Sequence, residues 1–213
     1  IIKEISPQSK IVVGGSGVIE IIHTLFKNID MYFFGEGEER FSDLLDGKII
    51  KGTTDSNGHS PTEGQKPRFL EDDILDKHSI LDYSLIDIEK YVYINERGVH
   101  SRFSETPRSL SFITTRGCPY TCRFCNSPDQ ITLYNKETGG GFFRKKRMDL
   151  VEKELKHFKN NLGVEYNYFW ADTFLAMNPR EFEEFCEIYS SIKLPFWIQT
   201  RPETINDYKV KKL

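Results

Sequence analysis

The chain has 213 residues, 38% hydrophobic and 29% charged, the composition of a globular protein and not of a disordered one. A formal charge of −3 gives nucleic acid no electrostatic footing as a partner, and no apolar run approaches the length of a membrane span. Three of the four cysteines crowd between Cys118 and Cys125, a usage that points to a reduced compartment, the cytoplasm by default, and not to a disulfide scaffold.

Residues 1–45 alternate strand and helix signals. Lys10 to Val13 is a short apolar run closed by Gly14 and Gly15. Val18, Ile21, Ile22, Leu25 and Phe26 then recur at three- and four-residue spacings, which predicts an amphipathic helix. Met31 to Phe34 predicts a second buried strand, and a short helix carrying Phe41, Leu44 and Leu45 follows. Strand, helix, strand, helix at this spacing implies a parallel sheet. A sheet needs more than two strands to be stable alone, so further strands are expected ahead of Ile1. Gly14 and Gly15 have two readings, a strand-to-helix turn or a backbone brought close to a ligand. Glu36 and Glu38 read as a solvated helix start, where carboxylates favour the dipole.

Residues 46–108 separate this region from the next. Up to about residue 80 they are rich in Gly, Ser, Thr, Asn, Asp and Pro with little periodicity, which reads as an interdomain linker. His59 and His78 stand at no metal-ligand spacing from each other or from cysteine. Partial alternation from Tyr91 to Phe103, around Glu96-Arg97-Gly98, predicts a short hairpin.

Residues 109–213 read as strand, helix, strand, helix, strand, helix. Leu110 to Thr114 is the first strand. Gly139-Gly140-Gly141 reads as a loop, because a phosphate cradle wants a helix immediately after it and Phe142-Phe143 intervene. The run Arg144-Lys145-Lys146-Arg147 reads as a solvated face. Met148, Val151, Leu155, Phe158 and Leu162 mark a helix that Gly163 ends. Val164 to Ala171 is strand-like and leads into Asp172-Thr173-Phe174. Asn178, Pro179 and Glu181 make a helix start with a capping box, and the helix buries Phe182, Phe185, Cys186, Tyr189 and Ile192. Cys186 therefore reads as a packed thiol. Pro195 to Thr200 is the third strand, ending at Arg201-Pro202-Glu203, with a helix beginning near Thr204. The last strand lacks a following partner, so the remaining units of the sheet are expected outside this sequence.

The chemistry concentrates between Ser111 and Ser127, which read S-F-I-T-T-R-G-C-P-Y-T-C-R-F-C-N-S. Cys118, Cys122 and Cys125 are spaced C-x3-C-x2-C on a loop directly after a strand. Thiolates this close in sequence can converge on one soft metal centre. A closed zinc or iron–sulfur site takes four protein ligands, so three leave one position for a small molecule. The alternative is a zinc site without catalysis, with Cys186 as a distant fourth ligand.

This loop closely resembles the cluster loop of the radical SAM enzymes. The resemblance implies a 4Fe–4S cluster held by Cys118, Cys122 and Cys125, with S-adenosylmethionine (SAM) chelated by the fourth iron. It implies reductive cleavage of SAM to a 5′-deoxyadenosyl radical that abstracts hydrogen from a small-molecule substrate, with electrons from a donor such as a flavodoxin or ferredoxin. Phe124, before the third cysteine, matches the aromatic position that packs by the adenine. Asp172, in F-W-A-D-T-F, matches the segment near the methionine moiety, and Arg201 ends the third strand at the same rim. For Asp172 and Arg201 the other reading is a salt bridge or cap at a strand end. Arg147 matches an arginine often found ahead of the next helix. The fold implied is the first half of a partial (β/α)6 TIM-like barrel, whose chemistry sits at the strand C-termini.

Upstream, V-V-G-G and D-M-Y-F-F-G-E-G-E resemble the second half of the Rossmann-like cobalamin-binding domain that precedes many such barrels, with Gly14 and Gly15 lining the groove for the nucleotide tail. Other markers of that domain, an Asp-x-His-x-x-Gly loop and a Ser-x-Leu segment, are absent from this sequence. The branch contains methyltransferases and oxidative cyclases. Methylthiotransferases are the nearest enzyme alternative, but they carry three more N-terminal cysteines and residues 1–117 contain none.

Overall fold

The computed structural model describes residues 1–15, 18, 28–48, 50, 53–55, 57, 73–78, 80–90, 92, 107–138 and 141–213. The helix expected from Val18 to Phe26 (Val18 apart), the hairpin expected from Tyr91 to Phe103 (Val92 apart), His59, Gly139 and Gly140 lie outside the described residues. The chain divides into two compact units, Ile1–Glu71 with Thr132–Gly139, and Asp72–Ile131 with Gly140–Leu213.

In the first unit, β1 (Val12–Val13) pairs in parallel with β2 (Met31–Phe33), Val12 opposite Met31, as the strand–helix alternation predicts. A third strand, β3 (Thr53–Thr54), comes from the stretch read as linker and adds antiparallel to β2. The start of β1 is fixed by Asp30, whose carboxylate accepts from the Ile11 amide at 2.7 Å and meets the Lys3 ammonium at 2.8 Å. Those contacts, the amide first, pull the Asp30 carboxyl below its ordinary range.

Helix α1 (Ile2–Ile5) opens this unit, and α2 (Glu38–Leu45) follows β2. Here the side-chain reading needs correction. Phe41 and Leu45 are exposed, whereas Arg40 is fully buried and donates to the Phe34 carbonyl beyond the end of β2. Glu36, expected to be solvated, is buried too. The helix thus turns a cation inward to satisfy backbone past the strand end, which outranks the apolar spacing.

The second unit is built on a parallel sheet ordered β4 (Ser109–Phe112), β7 (Tyr166–Phe169), β8 (Phe196–Ile198). Because all three run the same way, their C-terminal ends share one edge. Leu110, Phe112, Asn167, Phe169, Phe196 and Ile198 share one face by register. Helix α3 (Ile74–Lys77) opens the unit, and the first residues of α4 (Ser127–Thr138) continue directly from the cysteine loop. The apolar face of the sheet is covered by α5 (Met148–Asn161) and α6 (Pro179–Ile192), and α7 (Asp207–Lys212) closes the sequence.

The core of this unit is aromatic. Phe169 is fully buried, with its ring centroid 5.7 Å from that of Phe112 and 4.9 Å from that of Phe174, and Phe174 lies 5.0 Å from Phe185. Full burial of each such side chain contributes roughly 1.5–3 kcal/mol. The predicted stripes of α5 and α6 hold: Val151, Leu155 and Phe158, then Phe182, Phe185, Cys186, Tyr189 and Ile192, are all buried. The Asn178 capping box is present with both of its hydrogen bonds, and Gly163, at φ +63°, ends α5.

A buried amide is hydrogen-bonded within this core. Asn167 is fully buried and donates to the Tyr189 hydroxyl at 3.0 Å, which in turn donates to the Leu194 carbonyl. Burial pushes the Tyr189 hydroxyl up to about 12. The opposite face of the sheet carries Tyr168 stacked on Trp197, centroids 4.2 Å apart, and a half-exposed Trp170 whose indole donates to Ser111 at 2.9 Å.

Two features depart from expectation. Tyr83, Ile88 and Val92, in the stretch just after the region read as linker, pack into this core, and Arg108 ties Glu89 to the Leu162 carbonyl at the end of α5. The basic run is not a solvated face. Arg144 and Lys145 form β6, antiparallel to β5 (Thr115–Arg116), and Arg144 and Lys146 are buried. Lys146 can be buried because Glu154 of α5 meets its ammonium at 2.5 Å, both side chains at most 5% exposed.

Candidate functional site

The cysteine loop leaves the C-terminal edge of the sheet directly after β4. Before the first cysteine the chain pairs with β6, and the Lys146 amide donates to the Thr114 carbonyl at 2.9 Å. Gly117 then takes φ +84°, where a Cβ would stand 2.2 Å from the Phe142 carbonyl oxygen. Only glycine fits, both for the backbone angle and for the space. The strip before α5 therefore clasps the loop from behind and fixes where Cys118 begins.

The three thiols are free and graded in exposure: Cys118 buried, Cys122 half-buried, Cys125 exposed. Burial raises the Cys118 thiol above its ordinary value, with the Asp172, Cys122 and Cys125 charges adding to the effect and the Tyr120 amide opposing it. The Cys125 thiol is lowered, first by the Ser127 hydroxyl at 3.2 Å and then by the Ser127 amide at 3.4 Å, which both stabilise a thiolate. The Cys125 amide donates back to the Cys122 carbonyl at 3.1 Å, closing the turn between them.

Two further strand ends reach this loop. Asp172 and Arg201 each stand three residues past their strand, and Phe169 is in register with Ile198, so the two occupy equivalent positions. The turn carrying Asp172 is laced to the end of β8: the Phe174 amide donates to the Gln199 carbonyl at 3.0 Å and the Leu175 amide to the Thr200 hydroxyl at 3.2 Å. Asp172 is exposed, and its charge acts on both Cys118 and Cys125. Arg201 contacts the Cys122 sulfur through Nη1, holds Glu203 through Nη2, and lays its guanidinium carbon 4.4 Å from the Tyr120 ring centroid.

Phe124 stands almost wholly in solvent, 95% exposed, on the same loop. Arg147 is exposed at the start of α5, paired with Asp149 at 2.7 Å, a helix-start role. Gly15 takes φ +98°, which the turn after β1 requires, and a Cβ at Gly14 would make only ordinary contact with Phe33. Cys186 does not join the other three. It sits on α6 beside Leu194, Pro195 and Phe196, at the N-terminal end of β8, whereas the loop leaves the C-terminal edge.

The donor set suits an iron–sulfur cluster. Among the described residues, no three Cys, His, Asp or Glu side chains close on a point that one ion could fill. A cluster takes one thiolate per iron, and three free cysteines on one loop supply that donor for three irons. Beside the loop, an open cleft of about 490 Å³ is lined by Tyr120, Phe143, Met177, Asn178, Glu203 and Lys209, giving a small molecule access to the Tyr120 side of the loop.

Residues 112–213 match the model of the radical SAM superfamily. That segment is similar to a radical SAM domain. It is slightly less than half of the chain, begins in the last residue of β4, and takes in the cysteine loop, Asp172 and Arg201. A match to that family implies a 4Fe–4S cluster and SAM as cofactors. Over its whole length the chain is also 25% identical to a protein of Pyrococcus horikoshii described as an uncharacterized methyltransferase, and it spans 44% of that protein's length. Among the described residues no helix is long and apolar enough to cross a membrane.

Gly117, Tyr120 and Ser127 do not follow from the cysteine spacing alone. A glycine directly before the first cysteine, an aromatic two residues after it and a serine two residues after the third were visible signals, but their partners Phe142 and Arg201 come from distant sequence.

Proposed function

We propose that this protein is a radical SAM enzyme in which Cys118, Cys122 and Cys125 hold a 4Fe–4S cluster, acting as a cobalamin-associated methyltransferase or oxidative cyclase. The observation that carries this reading is a C-x3-C-x2-C loop of free thiols at the C-terminal end of a parallel strand, with Asp172 and Arg201 beside it from the next two strand ends. When bound, the cluster supplies one electron to the SAM sulfonium and so makes SAM the source of a 5′-deoxyadenosyl radical.

The chain's own residues bind and orient. Phe124 offers an exposed ring for the adenine. The Asp172 carboxylate accepts from the SAM ammonium in a charge-assisted contact, close to the thiols on which its charge already acts. Arg201 completes this rim. The sheet is read as the first three strands of a partial (β/α)6 TIM-like barrel, and residues 1–45 as the end of a cobalamin-type domain in which Gly14 and Gly15 face the cofactor. The name of the Pyrococcus relative supports methyl transfer over cyclisation. A flavodoxin or ferredoxin would deliver the electron, and the substrate is a small molecule.

The branch is tested by anaerobic reconstitution with iron, sulfide and cobalamin, followed by reduction in the presence of SAM and analysis of the nucleoside products. S-adenosylhomocysteine that forms only with cobalamin supports methyl transfer. Its absence, with 5′-deoxyadenosine still produced, moves the reading to the cyclase. A protein that purifies colourless, with one zinc per chain and neither product, would be the non-catalytic metal-binding module.

A further inference from the structure

Arg201 is used more completely by the cysteine loop than a SAM-facing cation would be. Nη1 is on the Cys122 sulfur, Nη2 is on Glu203, the guanidinium face is on Tyr120, and Nε is buried with no hydrogen-bond partner among the described residues. Its three neighbours come from both sides of the site: Tyr120 and Cys122 from the loop after β4, Glu203 from the short 3-10 turn after β8. The Thr204 hydroxyl donates to the Arg201 carbonyl at 2.7 Å and shares a 2.7 Å contact with Thr200, so the backbone that presents Arg201 is held as well.

The three sulfurs are thus treated differently. Cys125 is served by the neutral hydroxyl and amide of Ser127, Cys118 by the amide of Tyr120, and Cys122 by a full cation. Hydrogen bonds to cluster sulfurs and local charge are the levers by which a protein sets an iron–sulfur reduction potential. Reduction adds one negative charge to the cluster, and a cation in contact with a ligating sulfur stabilises the more negative state. Arginine suits this place better than lysine because its planar fork stacks on Tyr120 while donating along two edges.

We infer that Arg201 is a positioning residue for the cluster, holding the Cys122 ligand against Tyr120 and raising the potential at which the cluster accepts its electron. Glu203 fixes the guanidinium and offsets part of its charge. The inference rests on the iron–sulfur reading above.

The test is a potentiometric titration of the reconstituted protein under anaerobic conditions. Dithionite serves as the one-electron reductant, the reduced cluster is followed by electron paramagnetic resonance, and iron and sulfide are counted beforehand. Arg201→Met should load iron as the wild type does and shift the reduction equilibrium at least tenfold toward the oxidised form, about 59 mV for a one-electron couple. Arg201→Lys should recover part of that shift, and Glu203→Gln should move the potential upward. A fully loaded Arg201→Met cluster with wild-type potential overturns the inference while leaving the cluster reading intact. If Arg201→Met fails to load, Glu203→Gln decides: a rise supports the inference and an unchanged potential overturns it. A wild-type protein that assembles no cluster overturns the reading beneath both.

Discussion

Gly117 and Phe142 pass backbone to backbone so closely that a single added carbon at 117 would sit 2.2 Å from the Phe142 carbonyl oxygen. That contact joins the strip ahead of α5 to the residue preceding Cys118, and it sets where the cysteine loop starts. Gly117→Ala must either push the strip away or abandon φ +84°. The backbone angle alone costs about 1–2 kcal/mol for an L residue, and the clash adds to it. The variant should therefore melt at lower temperature than the wild type and take up well under the wild-type iron on reconstitution. Full iron loading with unchanged melting would remove Gly117 from the account.

Lys146 and Glu154 form a buried pair whose cost is balanced only while both are present. Lys146→Met should destabilise the protein by about 3–5 kcal/mol near neutral pH, because it strands a buried carboxylate. Burial raises the Glu154 carboxyl above its ordinary range, and the Lys146 hydrogen bond and charge work against that rise. Without Lys146 only the upward push remains. A carboxyl whose folded value lies above its unfolded one favours the fold when protonated, and that contribution is lost as pH rises from about 4.3 through the folded value. The deficit of Lys146→Met should consequently shrink when urea midpoints are compared at pH 5 and at pH 7. A deficit that does not vary with pH contradicts the pairing.

Much of the second unit was legible because its helices obey a spacing rule. The α5 and α6 stripes, the Asn178 capping box, the Gly163 stop and the parallel order of three strands all follow from apolar periodicity and local end signals. What escaped has a common physical cause. Helix α4 has no apolar stripe, only Ile131, Leu133 and Tyr134 among polar residues, although Asn126, Ser127 and Pro128 mark its start. The strands β3, β5 and β6 are two residues each, too short for alternation to register. Arg40 and Lys146 look like surface cations in sequence, and each is drawn inward by a partner that spacing cannot reveal, the Phe34 carbonyl and Glu154; Arg201 is legible as a rim residue, but its Cys122 partner is not.

Asn167 depends on Tyr189 for its buried amide hydrogen bond. Tyr189→Phe keeps the ring packing against Phe169, Phe185 and Phe196 and removes only the hydroxyl. Leaving the Asn167 amide and the Leu194 carbonyl without that partner should cost about 1–3 kcal/mol in denaturant unfolding. The double variant Tyr189→Phe, Asn167→Leu should recover part of the loss, and a single variant as stable as wild type would show that water replaces the hydroxyl.

Asp172 is exposed, and its charge reaches two of the cysteines, a location suited to a ligand ammonium. Asp172→Ala should weaken SAM binding to the reconstituted protein by roughly ten- to a hundredfold, the worth of one hydrogen bond to a charged group. Equilibrium dialysis with labelled SAM measures this directly. Unchanged affinity together with unchanged SAM cleavage assigns Asp172 to the turn alone.

On the proposed function, Cys118, Cys122 and Cys125 hold a cluster that breaks SAM reductively. The most direct test is the yield of 5′-deoxyadenosine from anaerobically reconstituted, dithionite-reduced protein supplied with SAM, compared with Cys118→Ala prepared in parallel. The wild type should be brown and form 5′-deoxyadenosine, and the variant should lose both colour and product. Product formation that survives in Cys118→Ala, or a brown wild type that never forms it, would rule out a cluster on these three cysteines as the source of the radical.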